Sequence, residues 1–309
     1  MKSDSPSQTA YVIARSIVYV SGDPEVGGLI PARAVEISAE FVRAHSRLAF
    51  WLLTVLRPLS RFFISPLERL SVPGIQLHYV LRKRFIEDEA RKAVINGAGQ
   101  IVIVGGGFDT LAIRLHQEFP SVDFIEIDHP ATQQIKRQTA EVCNRVGDNM
   151  HFLPADLSCT SLEEELLTYE HYSESEKSFF ICEGVLMYLQ PEEIETLFSF
   201  IRNHSGAHSS FVFTFMELDN DQICFRNSSA LVEKWLSLRS EVFTWGIPRQ
   251  EVRDFLASVG FDLVQIATDE TLRARYIATA NLEGLPLAQG ECICVAEIKV
   301  SQIERNRLL

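Results

Sequence analysis

The sequence has no uninterrupted apolar run long enough to cross a bilayer. Its most apolar stretch, Leu48 to Ile64, is broken by Arg57, Pro58 and Arg61, whereas a spanning helix needs about 20 apolar residues. No membrane span is expected. The stretch reads as a buried helix or hairpin, with a greasy lid or a membrane-surface contact as the other reading. Residues Met1 to Gln8 are polar and offer no apolar signal core, so no secretory leader is expected and a cytoplasmic location is. Cysteine is sparse and unpatterned. Cys143, Cys159, Cys182 and Cys224 are scattered, and Cys292 and Cys294 form a C-x-C with no second pair. Four zinc ligands cannot be assembled from that spacing, so no metal is expected, and reduced thiols suit the cytoplasm. Positive charge is also short: 29 Lys and Arg face 41 Asp and Glu, for a net charge of −12. The densest basic run, Arg82-Lys83-Arg84, is followed by Glu87-Asp88-Glu89. That mixture is no polybasic footprint, so no nucleic-acid partner is expected. Internal repeats and low-complexity tracts are absent as well.

What remains is a chain of 309 residues, 46% hydrophobic and 23% charged. That is enough for one large α/β domain with an added helical part. Residues 1 to about 95 read as helical, with Ala34, Ile37, Phe41 and Leu48 near a 3.6 period and breaks at Pro58, Pro66 and Pro73-Gly74. From Gln100 the texture changes. Ile101-Val102-Ile103-Val104 is a short apolar strand that ends in Gly105-Gly106-Gly107, and helix-permissive residues follow. Phe124 to Ile127, His151 to Leu153 and Phe179 to Cys182 read as further strands, ending at Asp128, near Asp156 and at Glu183. Helices fall between them, over 131–146, after Asp156, and from Pro191, whose place in the first turn suits proline. Ser210 to Phe215, Phe261 to Ile266 and Cys292 to Ile298 make seven strands in all, with a helix over 249–258 closed by Gly260. Alternating strands and helices predict a mostly parallel sheet covered on both faces. No crossover helix precedes the last strand, which points to an antiparallel hairpin at the end.

In such a sheet, ligands bind beyond the C-terminal ends of the strands. Gly105 to Thr110 follows strand one, where glycines let a backbone approach a ligand and turn into a helix. The dinucleotide pattern G-x-G-x-x-G is only partly met, because Thr110 holds the third glycine position. Asp128, 23 positions beyond Gly105, ends strand two, where an acid can accept hydrogen bonds from both ribose hydroxyls. It is preferred over Glu126 because it is terminal. Asp156, after strand three, could bind an adenine amino group or cap the next helix. Glu183 stands beside Gly184 and an apolar shelf, and could bind an amino group or be a buried structural acid.

These residues together resemble the leucine carboxyl methyltransferase-like family, in its bacterial O-methyltransferase branch. The matching pieces are Pro6 to Ala10, Arg82 to Asp88, Gly105 to Thr110 with Arg114-Leu115, Glu126 to Pro130 with Lys136, Asp156-Leu157, and Glu183 to Leu189. The resemblance implies a Rossmann-like class I methyltransferase fold with S-adenosylmethionine as cofactor, and a helical cap over 1–95 on a cofactor-binding domain over 96–309. By carry-over, Arg82 would pair with the cofactor's methionine carboxylate, with Arg84 a nearby rival. Gly105 and Gly107 would pass close to the cofactor. Asp128 would hold the ribose, Asp156 and Leu157 the adenine end, and Glu183 the amino group. Two departures stand out: Gly106 where another small residue is common, and Leu111-Ala112-Ile113 without the arginine many relatives carry. The stretch 216–250 matches no piece and is where a lid would be expected.

The activity implied is methyl transfer to a carboxylate or hydroxyl of a small molecule. A carboxylate acceptor is already ionised near neutral pH and needs no base, whereas a hydroxyl would benefit from one. His129 is the nearest imidazole, but a cofactor-side role fits it better, and no catalytic base is assigned. Phe108 and Tyr188 could line the pocket or simply pack. Trp51, Trp235 and Trp245 could make the acceptor pocket partly hydrophobic or belong to the core. The alternatives are a nicotinamide-dependent oxidoreductase and a non-catalytic binding protein of the same fold. Against the first, the Tyr79 to Lys83 spacing precedes the glycine loop rather than following strand four. Oligomeric state is not readable from the sequence.

Overall fold

A computed structural model of the chain describes residues 6–219, 222–226, 243–277, 282 and 284–299. Five helices come first: α1 (Gln8–Val20), α2 (Ala32–His45), α3 (Arg47–Thr54), α4 (Arg57–Leu70) and α5 (Ile75–Ile95). Then β1 (Gln100–Val104), α6 (Leu111–Leu115), β2 (Asp123–Asp128), α7 (Pro130–Val142), β3 (Met150–Pro154), α8 (Leu162–Leu167), β4 (Ser178–Cys182), α9 (Pro191–Asn203) and β5 (Ser210–Asp219) alternate. Two short strands, β6 (Gln222–Ile223) and β7 (Gly246–Ile247), precede α10 (Val252–Val259), β8 (Phe261–Ala267), α11 (Asp269–Leu272) and β9 (Glu291–Ile298). No helix among the described residues is long and apolar enough to cross a membrane.

The strands form one sheet in the order β3-β2-β1-β4-β5-β9-β8, with β6 and β7 attached to β5. The pairs from β3 to β5 are parallel, and β9 runs antiparallel between β5 and β8. The antiparallel end was expected. Its form is an insertion, in which the last strand separates β8 from β5. Two strands more than the seven read from the sequence appear, because β6 and β7 are two-residue ladders with no periodicity to read.

Period-two alternation assigns each strand residue to a face. Ile101, Ile103, Phe124, Phe179, Ile181 and Val212 pack with the buried residues of α1, α2, α5 and α6. Val102, Val104, Ile125, Phe180, Phe211, Phe213 and Phe215 face the opposite way, onto α8, α9 and α10. The N-terminal helices thus share one core with the sheet, and β1, buried at all five positions, lies inside it between β2 and β4. Reversal of strand order between β1 and β4 opens the crevice at their C-terminal ends.

Local signals set several element ends. Gln190 and Glu193 form a capping box at α9, and Pro191 takes the first turn. Gly260 closes α10 in the left-handed conformation, φ +89°. Helix α7 stops at Val142, short of Gly147. Of the stretch 216–250, where a lid was expected, residues 220–221 and 227–242, Trp235 among them, lie outside the described residues. Cys292 and Cys294 lie on one face of β9, buried among apolar side chains.

Candidate functional site

The crevice starts at the glycine loop. Gly105 and Gly107 have φ of +69° and +49°, a region that penalises any Cβ. A Cβ on Gly105 would lie 2.5 Å from Val185 Cγ2, and one on Gly107 would lie 2.9 Å from Ala10 Cβ. The loop is therefore pressed between the segment after β4 and the first turn of α1. That turn is held by Ser7, whose side chain accepts from the Ala10 N–H and whose own N–H donates to Thr132 Oγ1 at 3.0 Å. The Pro6 to Ala10 piece thus has a physical role, roofing the loop.

Asp128 ends β2 as expected, and the structure ties it to the loop. Its Oδ2 accepts the Gly107 N–H at 2.5 Å and its Oδ1 the His129 N–H at 2.6 Å. Burial pushes its carboxyl above the usual range, against the Gly107 N–H and Lys136. Beneath it, Glu126 and Lys136 form a buried ion pair at 2.6 Å. Burial raises the Glu126 carboxyl to about 7 even with Lys136 beside it. Lys136 Nζ also lies 3.5 Å from the Gly106 carbonyl. The pair supports the loop from below, and Glu126 is not at the crevice mouth.

On the other side, α5 and the ends of β4 and β9 bring charges together. Arg82 Nε donates to Glu183 Oε1 at 2.8 Å, and its Nη1 donates to both oxygens of Glu291 at 2.7 Å. Glu291 also faces His78 Nε2 at 2.8 Å. Lys83 Nζ bonds Asp109 and reaches Glu183 at 3.2 Å. Burial by itself would discharge these groups, but Glu291 and Glu183 keep Arg82 charged, and Arg82 and His78 hold the Glu291 carboxyl at about 2. Burial likewise opposes the charge on Asp109, yet Lys83 lowers its pKa. Gly184, φ +69°, lies beside Arg82 Nη2, which a Cβ there would meet at 3.9 Å and which pairs with Glu183 Oε1 at 2.8 Å. Arg82 and Glu183, proposed as separate ligands, are thus in direct contact.

Sequence reasoning assigned no role to His78, Lys83, Asp109 or Glu291. Lys83 and Asp109 stood inside the quoted motifs, so their signal was present. Glu291 opens an apolar strand and His78 lies on a helix more than 200 positions away, and no local pattern joins them. The Tyr79–Lys83 spacing does reach the crevice, contrary to its place in the chain. Lys83 is nonetheless committed to carboxylates and the Tyr79 ring lies under Arg82, 5.0 Å from its Cζ. Arg84 does not join the cluster. It donates to the Leu29 carbonyl at 3.1 Å and lies over Tyr276.

Asp156 is partly exposed, its Oδ1 accepting from the Ser158 N–H at 3.1 Å and Oγ–H at 2.6 Å, which lowers its pKa. It does not cap the following helix. Ser161 does, in a capping box with Glu164. His129 Nε2 lies 3.7 Å from Asp156 Oδ2, bringing the ends of β2 and β3 together, with Leu157 exposed beside them. His129 Nδ1 accepts the Ala131 N–H at 3.2 Å and so caps α7. Its Nδ1 lone pair is engaged there, so a neutral ring carries its proton on Nε2. Phe108 is buried and stacks on Phe41 at 5.2 Å. Tyr188 packs on Phe243 and Trp245 on Phe255, at 5.6 Å each. A cavity of about 30 Å³, lined by Ile17, Ala34, Val80, Arg84, Phe108 and Arg114 among others, lies under the N-terminal helices. It has room for little more than water.

A family model described as leucine carboxyl methyltransferase matches residues 36–202. The Bacillus subtilis protein named "Putative S-adenosyl-L-methionine-dependent methyltransferase YktD" is 31% identical over 183 residues, covering 58% of this chain and 59% of that protein. Leucine carboxyl methyltransferase 1 of Eremothecium gossypii is 28% identical over 180 residues, covering 50% and 54%. The chain thus spans less than two thirds of the length of either relative. The structure of magnesium protoporphyrin IX methyltransferase from Synechocystis, solved with bound SAH, aligns over 80% of this chain and 99% of that one at 14% identity and a TM-score of 0.46, a likeness too loose to bear on substrate.

Proposed function

The chain belongs to the leucine carboxyl methyltransferase family, and from that premise we propose that it is an S-adenosylmethionine-dependent methyltransferase acting on an oxygen, carboxylate or hydroxyl, of a small molecule. The observation that carries the reading is the pairing of a Cβ-free loop with a cluster of both charge signs in one crevice. Glycine at 105 and 107 lets the loop hold positive φ between Val185 and Ala10, so that its backbone is what the crevice offers a nucleoside. A site selecting a free amino acid group should offer both cations and carboxylates, as Arg82, Lys83, Asp109 and Glu183 do.

The cofactor would supply an electrophilic methyl on a sulfonium. Asp128 would accept the ribose hydroxyls while keeping the loop in place. Asp156 and Leu157 would meet the adenine end. Glu183 would take the amino group and Arg82 the carboxylate. With His129 capping α7, the chain's contribution is positioning and exclusion of water rather than proton removal. A carboxylate acceptor, ionised near neutral pH, suits that contribution best. Residues 1–95 would act as a cap whose first turn closes over Gly107.

Calorimetry with S-adenosylmethionine, S-adenosylhomocysteine and NAD tests the cofactor. Binding of NAD alone would overturn the reading. Turnover of methyl-labelled cofactor in a whole-cell extract, separated afterwards into small molecules and macromolecules, tests the acceptor. Label released as methanol by mild base marks a methyl ester, stable label a methyl ether, and label only in macromolecules would refute a small-molecule acceptor.

A further inference from the structure

Five of the large apolar side chains that the core leaves exposed fall within helices α3 and α4 and the junction between them. Leu48 and Trp51 on α3 and Val55 at its C-cap follow the i, i+3, i+7 spacing of a single helical face. Phe62 and Leu70 lie two turns apart on α4. All five are 48–72% exposed. The inward faces are accounted for: Leu53 is buried and Phe50 and Ile64 pack against the N-terminal core. Large apolar side chains this concentrated on two adjoining helices mark a surface that meets something.

The charge of the same segment says what. Between Arg47 and Leu70 stand Arg47, Arg57, Arg61 and Arg69 against one acid, Glu68. Glu68 is turned onto α5, its two oxygens accepting from the Gln76 N–H and Nε2–H at 3.2 Å. A net charge of +3 here stands in a chain of net −12. We infer that α3 and α4 form a docking surface for an anionic lipid bilayer, lying in its interface without crossing it. Arginines beside Trp, Phe and Leu on short amphipathic helices suit the headgroup boundary. There the rings and aliphatic tips enter the acyl layer while the exposed Arg47 and Arg69 guanidiniums meet lipid phosphates. Protruding side chains need a partner that yields around them, and a fluid bilayer does. A second copy meeting this face with its own would set like charges together, and docking it on an acidic face elsewhere would give a ring or an open-ended chain of molecules.

The test uses the full chain and co-sedimentation with vesicles of phosphatidylcholine alone or mixed equally with phosphatidylglycerol. Binding about tenfold tighter to the mixed vesicles is expected, falling with added salt. Leu48→Ser with Trp51→Ser should lower it about tenfold or more, and Arg47→Gln with Arg69→Gln should remove most of the preference for anionic lipid. Cofactor affinity in solution should stay unchanged in both variants, since these side chains lie outside the crevice. No sedimentation of the unaltered chain with mixed vesicles, or equal sedimentation of the Ser variant, would overturn the inference. So would a dimer in sedimentation velocity that the Ser pair dissolves, which would assign the face to a second copy.

Discussion

Arg82 makes contact with two carboxylates from distant parts of the chain, and each does something different. Glu183 shares the crevice with it, whereas Glu291 sits behind, buried, and anchors the guanidinium to β9. Removing one member of such a group leaves the others charged and desolvated, which costs about 3–5 kcal/mol. Arg82→Ala and Glu183→Ala are therefore expected to weaken S-adenosylmethionine strongly while leaving adenosine, which lacks the amino acid tail, nearly unaffected. Equal loss of both ligands would make the residue structural. Asp128→Ala should weaken S-adenosylmethionine by about 1.5–3 kcal/mol, the range for hydrogen bonds to a charged group, and unchanged affinity in a folded variant would refute a ribose role. Glu291 has a pH signature. Its carboxyl titrates at about 2 in the fold and at 4.5 when unperturbed. Its stabilisation is fully present above pH 4.5 and is lost as pH falls toward 2. Urea unfolding of Glu291→Gln should show lower stability at neutral pH and a shallower acid slope than the unaltered chain. A parallel slope would contradict the pairing. The places of Arg82, Asp128 and Glu183 at the crevice were legible because each sits at a strand end or in a local motif. Glu291 was not, because its partners are set by β9 running back to the crevice, a tertiary fact with no local spacing.

Among the elements, α1 has the most specific task. Its first turn depends on Ser7, which caps the helix and binds Thr132, and it brings Ala10 against Gly107. Gly107→Ala should therefore fail twice, once through its positive φ, costing about 1–2 kcal/mol, and once through the crowding with Ala10. A drop in melting temperature together with weakened cofactor binding is expected. Ser7→Ala should cost about 1 kcal/mol by thermal melting and weaken binding less. If Ser7→Ala leaves both unchanged, α1 does not organise the loop. Helix α1 was legible only as part of a helical region, since nothing in its sequence names the loop it covers. Helix α9 was legible in detail, because proline and two glutamates mark its start.

For the whole molecule, the sheet separates stability from binding. Phe198, on the face opposite the N-terminal helices, makes edge-on contacts with Phe211, Phe213, Phe255 and Phe261 at 5.1–5.4 Å. Phe198→Ala should lower stability by about 3–5 kcal/mol yet leave the cofactor affinity of the folded fraction as it was, as calorimetry well below the melting temperature would check. A loss of affinity matching the loss of stability would mean that the two cores are coupled. The parallel half of the sheet was legible, because each apolar run ended in a turn or an acid. The other half was less so. Periodicity identifies β8 and β9 as strands, but the order in which they pair depends on which edge β9 can reach. That order has a consequence for how the molecule is made. A ribosome releases β5 and β8 before β9, and β8 pairs with neither β5 nor any other strand until β9 arrives between them. Through that interval the nascent chain carries an unpaired edge beside Phe211, Phe213 and Phe215, the kind of edge that chaperones shield. Since β9 also delivers Glu291, the strand that closes the sheet is the one that fixes Arg82, so a chain halted before it would hold an open edge and an unanchored guanidinium together.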